Sequence, residues 1–202
     1  MGSTSWSIYY YSNSYGLSRR SSFLRSNYPQ AIVEQLEDNP AGVQHNLGMI
    51  CENARAARRI FDREDLWRRN PAGLAKAYSA EMARTAATAH VFMRLAQATR
   101  AYRDMREDGE LSADALKSRA VELKAAIDEL DQAILSIEND LPAYMAPSII
   151  RELTMQRRFA CAFLDEINAR LGDIENGATS LPEIECLRTT PIRWVGKAHK
   201  GD

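Results

Sequence analysis

Hydrophobic positions along the chain recur at alternating steps of four and three, and nothing in residues 29–176 alternates in the two-residue period of a strand. The strongest run lies in Leu111–Leu141, where Leu116, Ala120, Leu123, Ile127, Leu130, Ile134, Ile137 and Leu141 form an a/d heptad seam. Ser112 is placed to cap the first free N–H groups, and Leu111 and Leu116 occupy the two positions of a hydrophobic staple. Pro142 marks the end of the run. At about 1.5 Å per residue the helix is roughly 40 Å long, and the remaining helices are expected to pack lengthwise on it.

Four further helices are predicted. Pro29 begins a short one through about Glu37, and Asn39-Pro40 gives an N-cap and a first-turn proline for the next. That second helix carries Val43, Leu47, Ile50, Ala54, Ala57 and Phe61 on its seam. The tetrapeptide Asn-Pro-Ala-Gly recurs at Asn70-Pro71-Ala72-Gly73 and is expected to open a longer helix to about Glu107. Leu74, Tyr78 and Met82 then mark its first half, and Val91, Leu95, Ala98, Tyr102 and Met105 its second. Asp108-Gly109-Glu110 turns the chain into the Leu111–Leu141 stretch. After Pro142–Pro147 a last helix runs to about Leu171 or on to Asn176, with Gly172 and Gly177 as candidate stops. Its apolar face is Ile149, Leu153, Ala160, Phe163, Leu164, Ile167 and Leu171. Folding the last two helices about Pro142–Pro147 pairs Leu130 with Phe159, Ile137 with Leu153 and Leu123 with Ile167. It also brings Asp131 to Arg158 and Glu138 to Arg151. The fold class is therefore all-α: an elongated antiparallel bundle of four or five helices over 29–176, with extended arms at 1–28 and 177–202.

Composition changes this picture only at the ends. Residues 1–28 hold nine serines and five of the eight tyrosines, together with Trp6 and the run Ile8-Tyr9-Tyr10-Tyr11. No apolar core of a secretory signal occurs there, and the tyrosine run makes no amphipathic transit helix. No stretch approaches the eighteen or so apolar residues of a membrane span. Three widely spaced cysteines without a CxxC pair point to a reducing compartment, so the cytoplasm or an intracellularly assembled particle is expected. The net charge of −1 is segregated: residues 1–33 carry +3, residues 187–202 carry +3, and 34–186 carry −7.

Candidate chemistry is sparse. A di-metal bundle needs Glu-x-x-His pairs, and Gly42, Ala87 and Gly196 stand three residues before His45, His90 and His199. There is no phosphate-binding glycine loop, so no cofactor or metal is expected. His90 reads as a helix-face histidine with a local hydrogen-bond partner. The distinctive local feature is the basic run Arg55, Arg58, Arg59, Arg63, Arg68 and Arg69. Arginine forks suit phosphates, but Glu52, Asp62, Glu64 and Asp65 interleave with them, and a pair such as Glu52–Arg55 is ordinary helix-surface chemistry. A salt-bridged surface, a protein interface and a nucleic-acid face are the three readings of this run. The acids Asp128, Glu129, Asp131, Glu138 and Asp140 have no base among them from Ala125 to Ile150. They are expected to meet either arginines of the next helix or a basic arm.

Within the same region Asn39-Pro40, Leu47, Glu52-Asn53-Ala54-Arg55, Arg58, Glu64 and Trp67 resemble a stretch of the alpha-E domain family. The likeness covers about residues 38–67, lacks that family's N-terminal segment, and implies helix and no catalytic residue. The expected function is that of a non-enzymatic structural or adaptor protein. It would assemble with itself or with other proteins through Trp6, Tyr9, Tyr10, Tyr11 and Trp194 and the Arg55, Arg58, Arg59 and Arg63 surface, as in a phage or secretion assembly. A nucleic-acid-associated or regulatory protein using the Arg55–Arg69 face is the alternative, and an enzyme with a site between helices the third reading.

Overall fold

The computed structural model describes residues 40–69 and 73–184. These form five helices and no strand: α1 (Pro40–Phe61), α2 (Glu64–Arg69), α3 (Leu74–Asp108), α4 (Ala113–Asp140) and α5 (Ala146–Glu175). The short helix expected at Pro29–Glu37, Trp6, Tyr9, Tyr10, Tyr11 and Trp194 lie outside the described residues.

Contacts between side chains give the topology. Asp62, in the turn just after α1, meets Ser79 of α3, and Arg55 of α1 meets His90, so positions rise on one helix as they fall on the other. His90 meets Glu129 of α4 and Arg94 meets Glu122, again antiparallel. Thr88 meets Gln156 of α5, and Tyr102 feels Arg170, each 68 residues on, so α5 runs parallel to α3. The chain therefore goes up and down, with short turns joining α3 to α4 and α4 to α5.

The helix at the centre is α3, not the 111–141 stretch from which the expectation was built. Its buried residues include Ala80, Ala83, Ala86, Ala87, Ala89, Val91, Phe92, Leu95, Ala96 and Ala98, which between them point to every side of the helix. A helix packed all round shows no apolar stripe, which is why its pattern looked weak. Alanine and threonine keep its girth small, so α1 and α4 approach closely. Leu74 and Tyr78, expected on its core face, are half-exposed, and Tyr78 instead stacks on Phe61 at the end of α1 with centroids 5.2 Å apart. The repeated tetrapeptide also behaves differently at its two sites. Pro40 and Gly42 lie inside α1, whereas Gly73 precedes α3 with φ +71°, a left-handed conformation that glycine alone adopts without strain.

Helix α4 follows its pattern closely. The Ser112 hydroxyl accepts a hydrogen bond from the Ala115 N–H at 3.2 Å, and Leu116, Leu123, Leu130 and Ile137 are fully buried. Helix α5 runs to Glu175, past Gly172, and stops at a Schellman turn: Gly177 (φ +89°) donates to Ile174 and Ala178 donates to Asp173. Beyond it, residues 178–184 lie back on α3. Leu181 and Ile184 are buried there, and the Tyr102 hydroxyl donates to the Pro182 carbonyl at 2.6 Å.

The α4–α5 register is one residue away from the expected pairing. Asp131 meets Arg157 at 2.5 Å, not Arg158, and Ala160 is buried where Phe159 is only partly so. Arg151, Arg158 and Glu138 are exposed, and no ion pair joins Arg151 to Glu138 among the described residues. Arg151→Glu or Arg158→Glu is therefore expected to change unfolding free energy by less than about 1 kcal/mol. A loss of several kcal/mol in a urea titration of either variant would mean that its side chain is buried.

Candidate functional site

The candidate site is a half-buried ionic cluster where α1, α3 and α4 meet. The Arg55 fork donates twice to Glu129, Nε to Oε1 at 3.2 Å and Nη2 to Oε2 at 2.5 Å. His90 Nδ1 lies 2.6 Å from the same Oε2, and Arg94 Nε donates to His90 Nε2 at 3.2 Å. Because arginine only donates, Nε2 is assigned as the acceptor and the proton to Nδ1, directed at Glu129, so that Arg55 Nη2, 3.2 Å from Nδ1, donates to the carboxylate and not to the ring. Arg94 continues to Gln97 at 2.8 Å and to Glu122 at 3.2 Å, and Arg119 closes the chain on Glu122 at 2.8 Å. Glu122 and Glu129 stand seven residues apart and so share one side of α4.

The electrostatics are those of a closed network. The hydrogen bond from His90, then the Arg55 fork, hold the Glu129 carboxyl down from 4.5 to about 2 against the opposing effect of burial. Burial pushes the Cys51 thiol, one turn before Arg55, above its ordinary value, and the Arg55 charge pulls the other way. A thiol held protonated is a poor nucleophile. Among the described residues no group of three or more His, Cys, Asp and Glu side chains gathers as a metal site would require.

Glu129 also gives a pH prediction. Its folded-state pKa lies below its ordinary value, so its stabilisation is fully present above pH 4.5 and is lost as pH falls through about 2. Discounted for the solvent that reaches the pair, Glu129→Gln is expected to lose about 1–2 kcal/mol at neutral pH. The gap between variant and parent should close on acidification across that window. Denaturant titrations showing a gap independent of pH would place the stabilisation elsewhere.

A second polar group lies between α3 and α5. Arg84, 5% exposed, donates from Nε and Nη2 to Glu81 Oε2 at 2.9 and 2.6 Å. Glu152 is nearby, its carboxyl pushed up by burial, pulled down by Arg84 and pushed up again by Glu81. Gln156 donates to Glu152 at 3.4 Å and accepts from Thr88 at 3.3 Å.

The basic run is divided by this arrangement. Arg55 points inward to Glu129, and not to its helix neighbour Glu52. Arg58 pairs with Asp62 at 3.5 Å, Arg63 is held by both oxygens of Asp65 at 3.0 and 3.1 Å, and Arg59 is exposed. Three of the arginines a phosphate would need are thus already paired with carboxylates. The acidic stretch of α4 is answered internally for three members: Asp128 by Lys124, Glu129 by Arg55 and Asp131 by Arg157. Sequence reasoning passed over Arg84, Arg94, Glu122 and Glu129 as site residues. The legible signals were a lone charge within Ala83–Ala89, His90 and Arg94 four apart, and the heptad spacing of Glu122 and Glu129.

No described helix is long and apolar enough to cross a membrane. Comparison of the chain with family models, with curated proteins and with solved structures finds no match in any of the three.

Proposed function

We propose that this is a non-enzymatic helical protein that assembles with copies of itself or with other proteins through its terminal arms, as a component of a large particle. The observation that carries the reading is the division of labour along the chain. Charged side chains inside the bundle are engaged with one another, as in Arg55–Glu129–His90 and Glu81–Arg84. The chain's surplus of aromatic residues, Trp6, Tyr9, Tyr10, Tyr11 and Trp194, falls instead in flanking segments that carry net positive charge. Aromatic and arginine side chains are what interfaces enrich, and a basic arm laid on an acidic neighbour gains on-rate as well as burial.

Deleting residues 1–28 is expected to leave the helical circular dichroism intact and to lower the assembled mass measured by light scattering. High salt should weaken assembly of the full chain in the same direction. A truncated chain that keeps its full mass would end this reading.

A further inference from the structure

Helix α4 carries a second seam, on its outer face. Lys117, Val121, Lys124, Asp128, Leu135 and Glu138 lie on it at steps of four, three and seven, well round the helix from buried Leu130. All six are exposed, Val121 at 64% and Leu135 at 49%. The order of charge is the reverse of what a helix dipole favours. Lys117 and Lys124 lie in the N-terminal half, Asp128 and Glu138 in the C-terminal half, and the last turn holds acids and no base. Lys124 pairs with Asp128 one turn on, but neither Lys117 nor Glu138 has an ion-pair partner among the described residues.

We infer that this face is a self-complementary interface, on which α4 of a second copy packs antiparallel about a two-fold axis at Asp128. A seam at heptad spacing takes a helix as its partner, and the two aliphatic residues set the register. Bringing Val121 of each copy level with Leu135 of the other centres the pair on Asp128, midway between them. The same register sets Lys117 within one residue of Glu138 of the second copy, at both ends of the contact. At the axis the two Asp128 carboxylates approach, each with its own Lys124 ammonium already bonded to it, so two acids and two bases close a neutral group. A parallel pair would instead face lysine with lysine and acid with acid along the whole seam, and charges of this kind set orientation. The charge order that the dipole disfavours in one helix is answered in the pair, because each acidic half lies along the other copy's basic half. Such a contact uses one surface twice. It is small, and therefore weak and loosened further by salt. It lies on the bundle and not in the arms of the proposed function, so the two readings can fail separately.

The test is disulfide trapping in the full chain carrying Cys51→Ala, Cys161→Ala and Cys186→Ser, with one new cysteine, Val121→Cys or Leu135→Cys. The oxidant is copper–phenanthroline with dissolved oxygen, at low salt and the highest concentration that stays soluble. A mixture of the two chains should yield a dimer joined from 121 to 135. Either chain alone should yield at least about tenfold less, because like positions stand about 21 Å apart in the antiparallel pair, beyond disulfide reach. Lys117→Glu in both chains should lower the mixed yield about tenfold, since it sets acid against acid at two places, and adding Glu138→Lys to both should restore it. Positions 117 and 138 are about 31 Å apart on one helix, so that restoration can come only from contact between copies. Trapping of 121 with 121 as efficient as that of 121 with 135 would mean a parallel or random contact and overturns the inference. So does a double charge variant whose yield stays low. Absence of trapping overturns it too: rapid labelling of both thiols would then mean a solvated face, and slow labelling a face covered by another segment of the chain. Assembled mass after the 1–28 deletion judges the arms, and the 121–135 disulfide judges this face.

Discussion

Leu130→Ala is expected to destabilise the protein by about 2–5 kcal/mol, the range for deleting most of a buried leucine side chain. Leu130 is fully buried midway along α4, on the seam between α3 and α5. Two ion pairs flank it and hold α4 against its neighbours: Glu129 is gripped by Arg55 of α1, and Asp131 by Arg157 of α5. With these tethers on either side, the helices cannot close readily on the vacated volume, and a cavity that persists lies at the upper part of the range. Equilibrium unfolding in urea should show the transition midpoint falling with the slope unchanged. A loss below about 1 kcal/mol would mean that α4 slides or rotates to refill the space, and that the tethers are weaker than their geometry suggests.

What could be read from the sequence follows from how each residue does its work. Helix α4 was legible because it is amphipathic: its cap, staple and seam are local patterns, and Ser112, Leu116 and Leu130 sit where those patterns put them. Helix α3 was legible in extent and in its second half, where Val91, Leu95, Ala98, Tyr102 and Met105 are buried, but burial on several sides blurs the periodicity of its first half and made Leu74 and Tyr78 false markers of a core face. Arg55 shows the second limit. From the sequence its visible acids are those within a turn, such as Glu52, but its partner Glu129 is 74 residues away and is fixed only by how α1 lies across α3 and α4. The α4–α5 register missed by a single residue for a similar reason. The turn after Leu141 sets helix phase, and one residue of phase exchanges Arg158 for Arg157 at Asp131.

Arg84→Met is the second large effect, with an expected loss of about 3–5 kcal/mol at neutral pH, the usual result of removing one member of a buried ion pair. The methionine fills much the same space, so the loss is electrostatic: Glu81 and Glu152 are left facing one another without the guanidinium. The Glu152 carboxyl is already pushed up by burial, with Arg84 opposing and Glu81 adding, so losing Arg84 moves it further up. A carboxyl whose folded-state pKa is raised binds more protons folded than unfolded, so stability is recovered as pH falls below that raised value. The variant should therefore regain stability on mild acidification, where the Glu129 contribution is still intact because its own window opens only below pH 4.5. Adding Glu81→Gln and Glu152→Gln to Arg84→Met should return stability to near the parent or above it. The amide oxygen at 152 still accepts from Gln156, and replacing a buried ionic group by neutral side chains of similar volume is often neutral or stabilising by about 1–4 kcal/mol. Urea titrations of the single and triple variants, each at neutral and mildly acid pH, separate the alternatives. If the triple variant is as unstable as the single at both values, the loss belongs to the packing of the arginine stem between α3 and α5, and charge has no part in it.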